Sequence, residues 1–235
     1  MRIGLAAYQC KNGDLSFNMY QIERAMKCAA GKADVLCFGE AFLQGFDSLC
    51  WNYKEDAAIA VEQSSAVMKQ LQRWTSEYGL SLICGYIEKE QDRLYSSCIV
   101  LSEGEILHNY RRISRGWKEY TRTDAHYCEG EAAEVFSLHG KQMTIALCGD
   151  LWEYPQRLRT ASLLIWPVYL NFTIEQWEQE LDAYAAQAAL AADDAVLINP
   201  IDLDPVSHGG AFCFHQGQVV SGIPFDQEDI LFIEL

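Results

Sequence analysis

Short apolar runs alternate with helix-period segments through the first ninety residues, and few architectures accept such a pattern. Ile3 to Tyr8 reads as a strand. Met19, Ile22, Met26 and Ala29 recur at intervals of 3, 4 and 3, which predicts a helix with one buried face. Asp34 to Phe38 predicts a second strand. Val67, Leu71, Trp74 and Tyr78 predict a second amphipathic helix, and Leu80 to Ile87 a third strand. A β-α-β-α-β order packs helices on a sheet.

Further along, hairpins replace crossovers. Leu94 to Leu101 and Glu105 to Ile113 flank a short Ser-Glu-Gly turn at 102–104. Val135-Phe136 and Met143 to Leu147 bracket His139-Gly140, and Ala211 to Phe214 and Gln218 to Ser221 bracket Gln216-Gly217. Between them lie a short strand at Ser162 to Trp166, an Ala- and Gln-rich helix at Ile174 to Leu190 and a strand at Val196 to Asn199. Ile230 to Glu234 predicts a closing strand. Arg115 to Glu131 has no period and reads as a long loop, a kind of segment that tends to be functional. No repeat or linker interrupts residues 1–235, so one α/β domain is expected, with a mixed sheet or two stacked sheets; periodicity fits both.

Half of the 235 residues are hydrophobic and 22% are charged, which supports a large core and excludes general disorder. The net charge of -15 argues against nucleic acid or an anionic membrane as a partner. No apolar run approaches the ~18 residues of a membrane-spanning helix. The Met1 to Leu5 segment is too short and mixed for a signal peptide, so a cytoplasmic protein is expected. The nine cysteines are odd in number and form no CxxC pair, so most are expected to be small buried hydrophobes.

Three places at predicted strand ends could carry chemistry, since active sites of α/β folds gather there. Glu40 follows the strand ending at Phe38. Arg111, Arg112, Lys118, Glu119 and Asp124 crowd the long loop or its start. Cys148 ends an apolar strand and precedes Gly149-Asp150. A thiol, a carboxylate and a cation together make a nucleophile, a base and an electrostatic stabiliser. Gly149 would let substrate approach the backbone N–H behind the nucleophile. Each candidate also has a plainer reading. Cys148 alone would be a buried structural thiol, Glu40 a solvated strand end, Lys118 a surface partner of Glu119 or Asp124, and Asp124 a loop residue. No G-x-G-x-x-G follows the first strand, which speaks against a dinucleotide fold.

The order of these landmarks resembles the nitrilase, or carbon–nitrogen hydrolase, superfamily. Arg2 to Gln9 is similar to its opening strand, and Ala33 to Glu40 with Gly45-Phe46 to its strand, Pro-Glu and Gly-Tyr, with Gly39 in place of Pro. Leu94 to Ser97, Tyr110-Arg111-Arg112 and Leu147 to Trp152 with Tyr154-Pro155 resemble the Tyr-Asn-Ser, Tyr-Arg-Lys and Cys-Tyr-Asp blocks, and Trp166-Pro167 and Gly209-Gly210 fit later ones. The resemblance implies a four-layer α-β-β-α sandwich of two mixed sheets and a Glu-Lys-Cys triad. Glu40 and Cys148 carry over directly; the lysine position holds Arg112.

Two readings follow. Lys118 folds back to supply the ammonium, which the freedom of Gly116 favours, or Arg112 fills the site. Asp124 falls near the place of a second family carboxylate, and Trp152 replaces an arginine. The expected function is hydrolysis of a small carboxamide through a thioester at Cys148, with Glu40 as base and catalytic Lys118. Arg112, Asp124, Gly149 and Trp152 would contact substrate. No metal or organic cofactor is required. A homodimer is implied by the resemblance. The alternative is an impaired member that binds a small molecule without turning it over.

Overall fold

The computed structural model describes residues 1–235. In chain order its strands are β1 (Arg2–Ala7), β2 (Val35–Cys37), β3 (Ser81–Glu90), β4 (Arg93–Ser102), β5 (Glu105–Arg111), β6 (Phe136–Leu138), β7 (Lys141–Ile145), β8 (Leu163–Pro167), β9 (Asp194–Leu203), β10 (Val206–His215), β11 (Gln218–Gly222) and β12 (Asp229–Glu234). Its helices are α1 (Leu15–Ala29), α2 (Tyr53–Ile59), α3 (Ala66–Tyr78), α4 (Asp150–Glu153) and α5 (Ile174–Ala189).

The strands form two six-stranded sheets, ordered β12-β1-β2-β3-β4-β5 and β11-β10-β9-β8-β7-β6. Both are mixed: β1, β2 and β3 are parallel, as are β7, β8 and β9, and antiparallel strands extend each edge.

Two-faced burial explains the unbroken apolar runs. In β1, Ile3, Leu5 and Ala7 face the second sheet, while Ala6 faces the helices. In β8, Leu163 and Ile165 enter the layer between the sheets, while Leu164 and Trp166 lie under α5. Helices α1 and α3 lay Ile22, Met26, Met68 and Leu71 on the first sheet, and α5 lays Trp177, Tyr184 and Ala188 on the second. The result is the expected four-layer sandwich with stacked sheets.

Local chemistry sets the ends of these elements. Asp14 caps α1, accepting from the Phe17 N–H, and Thr173 and Gln176 form a reciprocal capping box on α5. The β4–β5, β6–β7 and β10–β11 turns carry Glu103-Gly104, His139-Gly140 and Gln216-Gly217, all with positive φ, as two-residue hairpins require.

The strands expected from the sequence end at Asn199 and resume at Ala211. In the fold, β9 and β10 extend through the residues between them. Buried Asn199 donates to Ser207 Oγ at 3.0 Å, and Ser207 Oγ donates to the Pro200 carbonyl at 2.8 Å, so the polar residues satisfy one another inside the sheet. Of the nine free cysteines, Cys10, Cys37, Cys84 and Cys98 are buried, but Cys28 and Cys50 are exposed, on the outer side of α1 and in the loop before α2. No helix is long and apolar enough to cross a membrane.

Candidate active site

The ends of three strands meet between the sheets. Glu40 follows β2, Arg112 follows β5 and Cys148 follows β7. Glu40 and Arg112 therefore come from one sheet and Cys148 from the other.

A tight turn places Glu40. Its N–H donates to the Val168 carbonyl at 3.1 Å, and Leu43 N–H donates to the Gly85 carbonyl at 3.1 Å. A Cβ on Gly85 would stand 2.4 Å from the Gly39 carbonyl oxygen, so β3 must carry a glycine there for the turn to close over it. Glu40 is fully buried. Its Oε1 accepts from Ser96 Oγ at 2.8 Å and from Arg112 Nη1 at 2.9 Å. Its Oε2 has no partner, an arrangement that is costly for a buried carboxylate unless a reacting group uses it.

Arg112 is 3% exposed and tethered at two more points. Its Nε donates to Ser114 Oγ at 2.7 Å, and its backbone N–H donates to the Ser96 carbonyl at 2.9 Å. Burial works against its charge, yet Glu40, Cys148 and Asp150 outweigh that and hold its pKa above an ordinary arginine's.

Cys148 sits at a strained elbow with φ 40°, between β7 and α4. Its N–H donates to the Pro167 carbonyl at 3.0 Å, and its carbonyl accepts from Trp166 Nε1 at 2.9 Å. Burial and the nearby Glu40 charge push its thiol up to about 12, while Arg112 and the Tyr169 N–H pull the other way. The Gly149 N–H has no acceptor in the protein.

Asp150 ties this elbow to the end of β5. Fully buried, it accepts from Leu147 N–H at 2.8 Å, Ile113 N–H at 3.1 Å, Ser114 N–H at 2.7 Å and Tyr110 hydroxyl at 2.6 Å.

The structure thus brings together Glu40, Arg112, Cys148 and Gly149. The expectation that Lys118 folds back to them is not met. Its Nζ donates to the Tyr127 carbonyl and lies 2.7 Å from the Glu129 carboxylate, because buried Trp117 fixes the preceding turn and aims the lysine along the loop. Asp124 likewise stands apart, in an exposed turn where it accepts from the His126 N–H at 3.0 Å. Trp152 is 44% exposed and packs on Tyr184, ring centroids 5.1 Å apart. Sequence reasoning missed Ser114 and Tyr184, the latter beside Cys148 in the packing under α5, and gave no role to Ser96 although it stands in the Leu94 to Ser97 block. A lone loop serine and a helix tyrosine carry no pattern that marks them.

A cavity of about 720 Å³ is lined by Arg93, Tyr95, Asn109, Arg111 and Glu129 among others, and none of Glu40, Arg112 and Cys148 reaches it. The chemistry-bearing groups lie instead at the strand ends, where Glu40 and Arg112 of one sheet meet Cys148 of the other.

A family model described as carbon-nitrogen hydrolase matches residues 2–235. A glutamine-dependent NAD(+) synthetase of Thermotoga maritima is 26% identical over 156 residues, covering 65% of this chain and 26% of that protein. An (R)-stereoselective amidase of a Pseudomonas species is 24% identical over 164 residues, 70% of this chain and 57% of that one. This chain therefore spans about a quarter to just over half the length of these relatives. Among solved structures, a mutant of a Nesterenkonia AN1 amidase from the nitrilase superfamily superposes with a TM-score of 0.82 at 20% identity, covering all of this chain and 91% of that one. A CN-hydrolase superfamily protein of Xanthomonas campestris does so with a TM-score of 0.80 at 16% identity, over 99% and 89% of the two chains. These likenesses show the same sandwich fold.

Proposed function

Because this chain belongs to the carbon–nitrogen hydrolase family, we propose that it hydrolyses a small carboxamide through a thioester on Cys148, with Glu40 as the base and Arg112, not Lys118, as the cation. The observation that carries this reading is the unpartnered Oε2 of buried Glu40, whose other oxygen is held by Arg112 and whose charge acts on Cys148.

The steps balance without further reactants. Glu40 Oε2 takes the Cys148 proton as sulfur bonds to the carbonyl carbon, and the carbonyl π pair moves onto oxygen. The Arg112 guanidinium and the free Gly149 N–H stabilise that oxyanion. The oxyanion collapses, the C–N bond breaks, and protonated Glu40 gives its proton to the departing amine. Water then adds to the thioester while Glu40 takes its proton. Collapse releases the carboxylic acid, and the thiol regains its proton. An arginine cannot give up a proton in this scheme, so it serves only as a fixed charge and donor.

A small acyl group is part of this reading, and amides are preferred to nitriles, both by analogy with the family. A homodimer stays part of this reading; exposed Trp152 beside α5 supports an interface there.

Ammonia release from a panel of small primary carboxamides tests the proposal. Cys148→Ala is expected to abolish turnover, and Glu40→Gln to cut kcat by roughly a thousandfold while leaving circular dichroism unchanged. Activity surviving the cysteine change would sink the mechanism. If no carboxamide turns over and Cys148 alkylates like an ordinary thiol, the replaced lysine marks a binding protein on the same fold.

A further inference from the structure

The guanidinium at the centre of the site occupies space that two glycines leave open. A Cβ on Gly149 would stand 2.6 Å from Arg112 Nη2 and 3.3 Å from Ser114 Oγ. A Cβ on Gly116 would stand 3.3 Å from the same Nη2. Neither position needs glycine for its backbone. Gly149 has φ -64° and ψ -11°, a conformation any residue adopts, and Gly116 is not among the glycines with positive φ. The demand for glycine is therefore steric at Gly149, while at Gly116 a side chain would only press on the guanidinium.

The side chain that a Cβ would meet cannot swing aside freely. Arg112 is buried, with Nε bonded to Ser114 and Nη1 to Glu40, and Ser114 N–H is held by Asp150. Moving Nη2 means giving up the Glu40 contact, the Ser114 contact, or both.

We propose that Gly149 and Gly116 are positioning residues for the reaction. Together they form the slot that admits a forked guanidinium between Glu40 and Cys148, where a lysine would need only the width of its chain. Two of the departures from the resembled motifs, Arg112 for lysine and Gly149 where the Cys-Tyr-Asp block has tyrosine, then answer one another. The Gly149 role is double: its N–H faces the oxyanion, and its missing side chain makes room for the cation that shares that task. This inference rests on Arg112 being the reaction's cation.

The test compares Gly149→Ala, Gly116→Ala, Arg112→Lys and the double variant Arg112→Lys/Gly149→Ala. Two readouts are taken on the full chain: the rate of Cys148 alkylation by iodoacetamide from pH 7 to 9, mapped by mass spectrometry, and the thermal midpoint. Displacing Arg112 removes a charge that favours the developing thiolate, so Gly149→Ala is expected to slow alkylation at least about tenfold across that range. Gly116→Ala, with the looser approach, is expected to slow it less. In the double variant the shorter ammonium no longer meets the new methyl. Its midpoint should recover most of the Gly149→Ala loss, and its alkylation rate should fall within about threefold of Arg112→Lys alone.

A Gly149→Ala protein with the parent's rate and midpoint would overturn the slot, and so would single effects that simply multiply in the double variant. Coupling in the midpoint with no coupling in the alkylation rate would overturn the positioning role. A parent Cys148 that is inert at every pH would count against the proposed reaction, whereas the coupling in the midpoint would still judge the slot.

Discussion

Cys148 is a thiol that its surroundings keep protonated, since burial and Glu40 push it up to about 12. Below that value its thiolate fraction falls tenfold for each pH unit. The Glu40 oxygen without a partner offers another route, taking the proton only as the sulfur attacks. The parent protein is therefore expected to alkylate with iodoacetamide at pH 7 nearly as fast as at pH 9. Glu40→Gln should instead show a rate climbing about tenfold per unit over that range. A steep profile in the parent would mean that Glu40 is not the base. Glu40 and Cys148 were legible in the sequence because each directly follows an apolar strand and stands in an ordered series of motifs. The cation was not. Gly116 read as freedom for the loop that carries Lys118, whereas in the fold it is room for the Arg112 side chain. What a glycine makes space for depends on which distant residue lies against it, and spacing along the chain does not carry that. Asp124 misled for the same reason: it keeps its place in the sequence, but the turn that holds it bonds to His126 and faces outward.

The β3–β4–β5 ladder does for Arg112 what a single residue could not. Neighbouring side chains of an extended strand point to opposite faces. Arg111 at the end of β5 is anchored on Glu88 of β3, donating through Nε and Nη2 at 2.8 Å each, and its guanidinium lies 4.0 Å from the Tyr95 ring centroid. Ser97 Oγ and Asn109 Nδ2 also donate to Glu88, at 2.6 and 2.9 Å. With Arg111 pinned, the next residue is turned towards Glu40. Burial raises the Glu88 pKa, but Arg111, Ser97 and Asn109 outweigh it and hold the carboxyl below its usual range. A depressed carboxyl contributes stability above its unfolded pKa and loses it as pH falls through the folded value. Glu88→Ala is therefore expected to cost about 2–3 kcal/mol at pH 7 in urea denaturation, with the gap to the parent closing below about pH 4. A gap that persists in acid would mean packing, not charge, accounts for the loss. The β4–β5 hairpin of this ladder was legible because turn residues and alternation agree locally. The extension of β9 and β10 was not, since nothing along the chain marks that Asn199 and Ser207 satisfy one another inside the sheet.

At the scale of the molecule, the two sheets and their helix layers follow from apolar runs too continuous for a sheet with one wet face. Which strands share a sheet was beyond periodicity, because β12 returns across the whole chain to pair with β1, and no local signal marks that partner. Association belongs to this scale as well. The exposed side of α5 carries Glu175, Glu178, Glu180 and Asp182 in a chain of net charge -15, so two copies meeting there repel at low ionic strength. Light scattering after gel filtration is expected to give about twice 26.6 kDa, with the larger species favoured as salt rises. A mass of one chain at every salt concentration would remove the dimer from the proposal. The division of Glu40 and Arg112 from Cys148 between two sheets has one more consequence. Each sheet is held by its own backbone ladder, whereas only a few backbone bonds cross from one to the other, at Glu40–Val168 and between Tyr8–Cys10 and Ile201, and side chains such as Asp150 hold the rest of the alignment. A slip of one layer over the other would leave nearly every strand paired and spectroscopic measures of secondary structure almost unchanged, yet part Glu40 from Cys148. The proposed turnover would be a vernier between the two halves, and heat should silence it before it melts the protein.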